Sequence, residues 1–360
     1  IVYTPDGQTL ATASEDRTIR LWNPKTGEPT KLLFTRYDHN VCSLSLSPDG
    51  LMLARGSHNK DIKIWEVTTG TELMTLLGKD QYDHHWSVCV AFCPDGIHLA
   101  SGTDIGKIKL WEVLPSGEEK ILHDGHWQRD ADDSTETRGY FIEDDGGFQK
   151  PMDYWIGAMT FTPDGKTLIT GSRDKTIKFF EMPKLIEKKT LTGHTAWVRS
   201  LAVSPDGKVL VSAGDDNCIK FWDIAAGRHF KTVKGHTAGV RQITFSPDGK
   251  RVAFSAFNKI YVMDLAAGAT PRRLTNLTAG EFMPAWSPDG RYVAFTAPAD
   301  ATASGALDEV YRLDTATGTR VLVSGGAGNT TPDDSSGEPS ISGDGPRWRT
   351  RTLAFQVSDT

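Results

Sequence analysis

Four residues between 194 and 222 have the types to do chemistry together: His194, Ser212, Asp216 and Trp222. Serine, histidine and aspartate are the parts of an acyl-transfer triad, as nucleophile, base and orienter. Two requirements of that chemistry are missing. No G-x-S-x-G turn is present to expose a serine on a strained elbow, and no stretch reads as an oxyanion loop. The same types suit another job. A buried imidazole needs a partner at each nitrogen, and Asp216 and Ser212 can each supply one. No catalytic residue is assigned.

Metal and phosphate chemistry is served no better. Asp130, Asp132 and Ser134 alternate as in a calcium loop, but Thr135 stands where the bending glycine belongs. The run from Gly102 to Lys107 is one residue short of a phosphate loop, and Ile108 follows where serine or threonine is required. Cys42, Cys89, Cys93 and Cys218 contain no CxxC pair, so zinc spacing is absent. Cys89 and Cys93 would lie about 13 Å apart along a strand, too far for a disulfide. Buried free thiols and a reducing, cytoplasmic location are expected. No cofactor and no metal is predicted.

The elements that must position these residues follow from composition and repeats. The 360 residues are 38% hydrophobic and 24% charged, with 35 glycines and 18 prolines, a turn-rich globular balance. No apolar run approaches the ~18 residues of a membrane span. A net charge of −6 argues against a phosphate-binding surface, so neither membrane nor nucleic acid is expected as partner. A Pro-Asp-Gly turn recurs at Asp6, Asp49, Asp95, Asp164, Asp206, Asp248 and Asp289, at spacings of 43, 46, 69, 42, 42 and 41 residues. A weaker copy surrounds Asp344. Proline presets the first corner of such a turn, aspartate caps it, and glycine tolerates positive φ. Strand–turn–strand units of this length cannot bury both faces alone, so neighbours must stack.

Around the turns the text is alike, as in LAVSPDGKVLVSA (201–213) and ITFSPDGKRVAFSA (243–256). Third strands end at Trp22-Asn23, Trp65-Glu66, Trp111-Glu112, Phe180-Glu181 and Trp222-Asp223, and Gly193-His194 and Gly235-His236 precede inner strands. Over residues 1 to about 265 this resembles the WD-repeat (Trp-Asp) β-propeller family. Beyond about 280, MPAWSPDGRYVAFTA and the 338–360 text resemble TolB-like relatives. The resemblance implies an all-β propeller of four-stranded antiparallel blades, seven plus a partial eighth. The expected organisation is one propeller over 1–360. Its repeats run over 1–36, 37–82, 83–151, 152–193, 194–235, 236–276, 277–337 and a partial 338–360, with an acidic insertion at 126–150. No strand is evident to clasp the two termini. Two readings stay open: a half blade added to the ring, or a piece of a longer propeller protein, its natural N-terminus upstream of Ile1.

The resemblance also places His194, Ser212, Asp216 and Trp222 on the family's structural tetrad, a buried hydrogen-bond chain. Other repeats depart from it. Repeat one keeps Thr12, Asp16 and Trp22; repeat two has Arg55 and Asn59. Repeat four has Met152, Thr170, Asp174 and Phe180, and repeat six His236 and Ser255 but Met263.

Loops carry function on such scaffolds. Nine residues before each turn aspartate the repeats read Asn40, Trp86, Trp155, Trp197, Gly239 and Gly280, and two residues later repeats five and six carry Arg199 and Arg241. The b–c turn column adds Glu15, Asp104, Arg173 and Asp215. Trp86, Trp155, Trp197, Arg173, Arg199 and Arg241 are therefore the candidate partner-binding residues, tryptophan and arginine being the usual anchors of an interface. The alternative for each tryptophan is to pack on a neighbouring loop. The expected function is a non-enzymatic scaffold that binds a protein or peptide on this loop rim. The alternative is the accessory propeller of a larger enzyme, a protein kinase or serine peptidase, whose catalytic domain lies outside this chain.

Overall fold

The computed structural model describes residues 1–13, 18–34, 41–57, 61–77, 87–104, 106–113, 119–125, 155–234, 239–266, 268–275, 281–298 and 308–324. Among them are 28 strands and no helix, forming seven four-stranded antiparallel blades of a β-propeller. Each blade uses four consecutive strands, within 2–34, 41–77, 87–125, 156–191, 198–233, 242–273 and 282–322. The acidic insertion and the partial eighth repeat lie outside the described residues. No helix among the described residues is long and apolar enough to cross a membrane.

The Pro-Asp-Gly turns join the first two strands of every blade, and their chemistry is the same each time. The glycine N–H donates to the carbonyl three residues back at 2.8–3.0 Å, closing the turn. All seven glycines hold φ between +67° and +74°, where a side chain would be strained. In six blades a serine or threonine hydroxyl, two residues before the aspartate, donates to its carboxylate at 2.5–2.6 Å. In blade three that position is Cys93, and Asp95 instead takes the N–H groups of Ile97 and His98 and the His98 ring.

The chain divides into two compact units, Cys42–Phe245 and Ile1–Val41 with Ser246–Thr360. In the first, apolar side chains of successive blades interleave: Ile156, Phe161 and Leu168 of blade four close on Cys89, Ala91 and Leu110 of blade three. Val198, Leu210 and Trp222 of blade five close on Ala158, Ile169 and Phe179 of blade four. In the other unit Ile1, Leu10 and Trp22 of blade one meet Ala294, Val310 and Val323 of blade seven. Blades one and seven therefore join by side-chain burial, each keeping its own four strands. Cys89 and Cys93 are buried thiols, which burial pushes up to about 12; Cys42 and Cys218, expected to be buried too, are only half-buried.

Candidate protein-interaction rim

Blade five consists of strands Val198–Val203, Val209–Gly214, Ile219–Asp223 and Arg228–Val233. His194 lies just before the first of them, and its ring is fully enclosed. Its Nδ1 is 2.8 Å from Asp216 Oδ2 and its Nε2 is 2.7 Å from Ser212 Oγ. Trp222 closes the chain by donating its indole N–H to Ser212 Oγ at 2.8 Å. Asp216 also accepts the N–H groups of Thr195 (3.1 Å) and Cys218 (3.2 Å). Burial pulls the His194 imidazole below its usual range, against the pull of Asp216, so the neutral ring is favoured. Ser212 is fully buried and its oxygen is held from two sides, which leaves no approach for a substrate carbonyl.

These bonds bring the loop between the second and third strands of blade five against the start of its first strand. The Asp215 N–H donates to the Trp197 carbonyl at 2.9 Å, and a Cβ on Gly214 would fall 2.6 Å from that same oxygen. Asp215 thereby faces Arg199. The guanidinium Nε lies 2.9 Å from both carboxylate oxygens, and a terminal nitrogen is 2.7 Å from Oδ2. Held this way, Arg199 lies over the Trp197 ring, its Cζ 3.5 Å from the centroid. Arg173 of blade four approaches the same ring at 5.6 Å, and Trp155 packs against it at 5.1 Å and a 50° tilt.

Trp155, Trp197, Arg173 and Arg199 thus form one cluster. Trp155 is buried, so its ring supports Trp197, which is half-buried. Arg241 stands exposed just before strand Gln242–Phe245 and makes no ion pair among the described residues. Trp86 lies outside the described residues, as do Glu15, Asp16, Asn40, Asn59, Met152, His236 and Gly280.

The part played by two glycines of the cluster was not visible in the sequence. Gly157 occupies in blade four the place that Arg199 takes in blade five, and a Cβ there would lie 2.5 Å from Trp197 Nε1. Only glycine leaves room for the indole; the signal was present as a glycine where the next two repeats carry Arg199 and Arg241. Gly239, whose Cβ would meet Asp215 Oδ1 at 2.7 Å, plays the same part on the other flank. The sequence reading also missed two buried charges. Arg55 of blade two pairs with Asp61 at 3.3 Å where other blades hold a hydroxyl. Glu281, fully buried before blade seven, accepts from Ile260 N–H at 3.2 Å and from the Thr275 hydroxyl. No group of three or more histidine, cysteine or acidic side chains is placed to hold a metal among the described residues.

Fold and blade chemistry together define a seven-bladed β-propeller, four of whose third strands carry a tryptophan near their end. The chain belongs to the WD40 family (WD domain, G-beta repeat), whose model matches residues 1–23, 30–66, 75–112, 151–181, 186–223 and 227–260, more than half of its length. Blade seven follows the last matched segment, and no finding supports the TolB-like resemblance expected of its text. Propellers of this family are generally non-catalytic interaction scaffolds. Among solved structures, a chain of "Crystal Structure of Mitotic Checkpoint Complex" is similar at 22% identity and a TM-score of 0.65, over 82% of this chain and 85% of that one. At that identity the likeness speaks for the fold. A search of curated proteins returned no match.

Proposed function

We propose that this propeller is a non-enzymatic scaffold that binds a protein or peptide partner on the rim carrying Trp155, Trp197, Arg173 and Arg199. One observation carries the reading: an arginine stacked at 3.5 Å on a half-buried tryptophan and fixed there by Asp215. That arrangement needs a glycine on each side to exist at all, at Gly157 and Gly239. A pre-organised aromatic–guanidinium surface is what an interface anchor requires, because little rotamer entropy remains to be lost on binding. The similar chain comes from a checkpoint assembly, in keeping with a family whose members work in complexes.

The experiment is affinity capture from a native lysate with the whole chain and with Trp197→Ala/Arg199→Ala, compared after confirming that both melt cooperatively. Loss of a captured protein by the variant supports the rim. Capture of the same proteins by both refutes it. Trp86→Ala then extends the test one blade further along the same column.

A further inference from the structure

We propose that the seam between blades seven and one binds a small amino-acid zwitterion, with its carboxylate on Arg312 and the Tyr3 hydroxyl and its ammonium toward Asp289. The site is independent of the rim, since it lies at the Pro-Asp-Gly ends of its strands and uses none of the rim residues. The pointer is one departure among the repeats. In blade seven the third-strand residue paired with Ala294 is Arg312. At that register position the other six blades carry Leu21, Ile64, Leu110, Phe179, Phe221 and Val262, every one of them buried. A half-buried guanidinium thus stands where a buried apolar side chain is the rule.

The surroundings give that guanidinium no anion. Its Cζ lies 4.4 Å from the centroid of the Tyr292 ring, and Arg312 makes no ion pair among the described residues. With Tyr3, Tyr292, Asp289, Pro24 and Pro288 it lines a cavity of about 170 Å³. That is on the scale of the roughly 150 Å³ that admits a benzene-sized guest. The Tyr3 hydroxyl is buried and has no hydrogen-bond partner among the described residues. Burial raises its pKa, with Arg312 opposing and Asp289 and Tyr292 adding to the rise, so all three stand near enough to act on it. Two donors without acceptors, one of them charged, therefore share the cavity. A carboxylate answers both, because bonds to an ionised acceptor are the strongest open to them.

The turns set the other end of the ligand. Asp6, Lys25 and Asp289 line the same cavity and are exposed, so they form its mouth. Lys25 donates to Gln8 at 3.2 Å and its charge acts on Asp6. Asp289 spends Oδ1 on its own turn, accepting from the Ser287 hydroxyl and the Arg291 N–H, and Arg291 gives its Nε to Asp314. Asp289 Oδ2 accepts no hydrogen bond among the described residues. Arg312 and Asp289 thus line one small cavity without pairing with each other. Its wall is charge-balanced, Asp6 and Asp289 against Lys25 and Arg312. A simple anion drawn to Arg312 is opposed by the carboxylates at the mouth, and a simple cation drawn to Asp289 meets a guanidinium inside. A ligand carrying both charges meets neither penalty. Tyr292 and the two prolines supply apolar wall for a short methylene stem between its ends.

Saturation-transfer difference NMR on the whole chain tests this. The probes are glycine, β-alanine, γ-aminobutyrate and 5-aminovalerate; valerate and pentylamine are the rivals with one charge each. At least one amino acid of the series is expected to bind, and the tightest member reads the spacing between Arg312 and Asp289. Valerate and pentylamine are expected to bind about tenfold or more weakly than that member, each having lost one charged contact. Arg312→Leu gives blade seven the side-chain type of the other blades, so it is expected to fold and to weaken binding about tenfold or more. Tyr3→Phe removes only a hydroxyl without a partner; it is expected to keep the melting temperature and to weaken binding about threefold or more. The inference is overturned if none of the four amino acids binds, or if valerate or pentylamine binds as tightly as the best of them. It is also overturned if Arg312→Leu or Tyr3→Phe, melting like the parent, keeps the parent's affinity. Should Arg312→Leu fail to fold, Tyr3→Phe decides alone. Lysate capture with Trp197→Ala/Arg199→Ala reads the rim only, so either proposal stands or falls without the other.

Discussion

Blades four and five are built on the same turn, the same strand register and nearly the same apolar pattern, yet only one completes its hydrogen-bond chain. In blade five Ser212 receives the Trp222 indole and meets the His194 ring. In blade four the equivalent Thr170 is buried with no partner for its hydroxyl among the described residues, because Phe180 stands where the indole would be and a phenyl ring has no N–H. The same holds in blade six, where Met263 stands in the tryptophan's place and the Ser255 hydroxyl has no partner among the described residues. Where the tryptophan and the hydroxyl are both kept, the bond is kept: Trp22 to Thr12 and Trp111 to Ser101, both at 2.9 Å. The difference teaches that burial of a large apolar side chain at this third-strand position, Trp222, Phe180 or Met263, is what these blades share. The polar chain is an addition that fixes one particular loop, and in blade five that loop carries Asp215.

The largest expected effect comes from removing the centre of that chain. His194→Ala strands Asp216 and Ser212 inside the blade, and is expected to cost about 1–3 kcal/mol in urea unfolding. An unchanged midpoint would refute a stabilising role for the network. The same variant should loosen Asp215 from Arg199, so the intrinsic fluorescence of the Trp197 region is expected to shift with it. Trp222→Phe turns blade five into a copy of blade four. It removes one donor and leaves a small cavity, and about 1–2 kcal/mol is expected to be lost. If Trp222→Phe were harmless, the contrast between the blades would be one of shape alone.

Protonation attacks the same network from outside. His194 sits below its ordinary value because it is enclosed, with Asp216 opposing and Lys220 and His229 adding to the fall. As pH drops below about 6.5 the unfolded chain takes up the proton first, so stability is full above that point and declines beneath it. His194→Gln is expected to flatten this part of the melting-temperature profile between pH 7.5 and 5. A second loss belongs to the turns. Hydroxyl donors hold Asp6, Asp49, Asp164, Asp206 and Asp248 below the usual carboxylate range. At Asp95 and Asp289 burial pushes upward and the hydrogen bonds still prevail. That contribution persists above about pH 4 and disappears as pH falls through the lowered values, in His194→Gln as in the parent.

The smallest effect has the opposite sign. Thr170→Val removes a hydroxyl that has nothing to bond and keeps the volume, so stability should stay within about 0.5 kcal/mol of the parent or rise. Ser212→Ala, the matching change in blade five, is expected to cost about 1 kcal/mol or more. Equal losses in the two variants would erase the distinction.

Much of this was legible in the residues. The Pro-Asp-Gly spacing marks every turn because each copy needs the same three local properties, and local properties do not depend on what lies across the blade. His194, Ser212, Asp216 and Trp222 were legible as a set because their types complement one another and the repeat places them. The rim was legible only in part. Trp155 and Trp197 share a column, yet one ring is buried support and the other a half-exposed platform. The residue two places on differs, Gly157 against Arg199, but that both act on the Trp197 ring is decided only by how the two blades meet. Arg55–Asp61 was hidden for a similar reason: a charge at a core position reads as a departure until its partner across the hairpin is known.

By itself, then, the amino-acid sequence determined the blade: its turns, its alternation of buried and exposed positions, and its hydrogen-bond chemistry, all of which are settled within about forty residues of chain. Only the tertiary structure decided which side chains of different blades meet. Arg173, Trp155, Trp197 and Gly239 come from three blades, and their distances depend on how side chains interleave between sheets rather than on any spacing along the chain. A functional surface made at the seams between repeats is invisible to the period that makes the repeats.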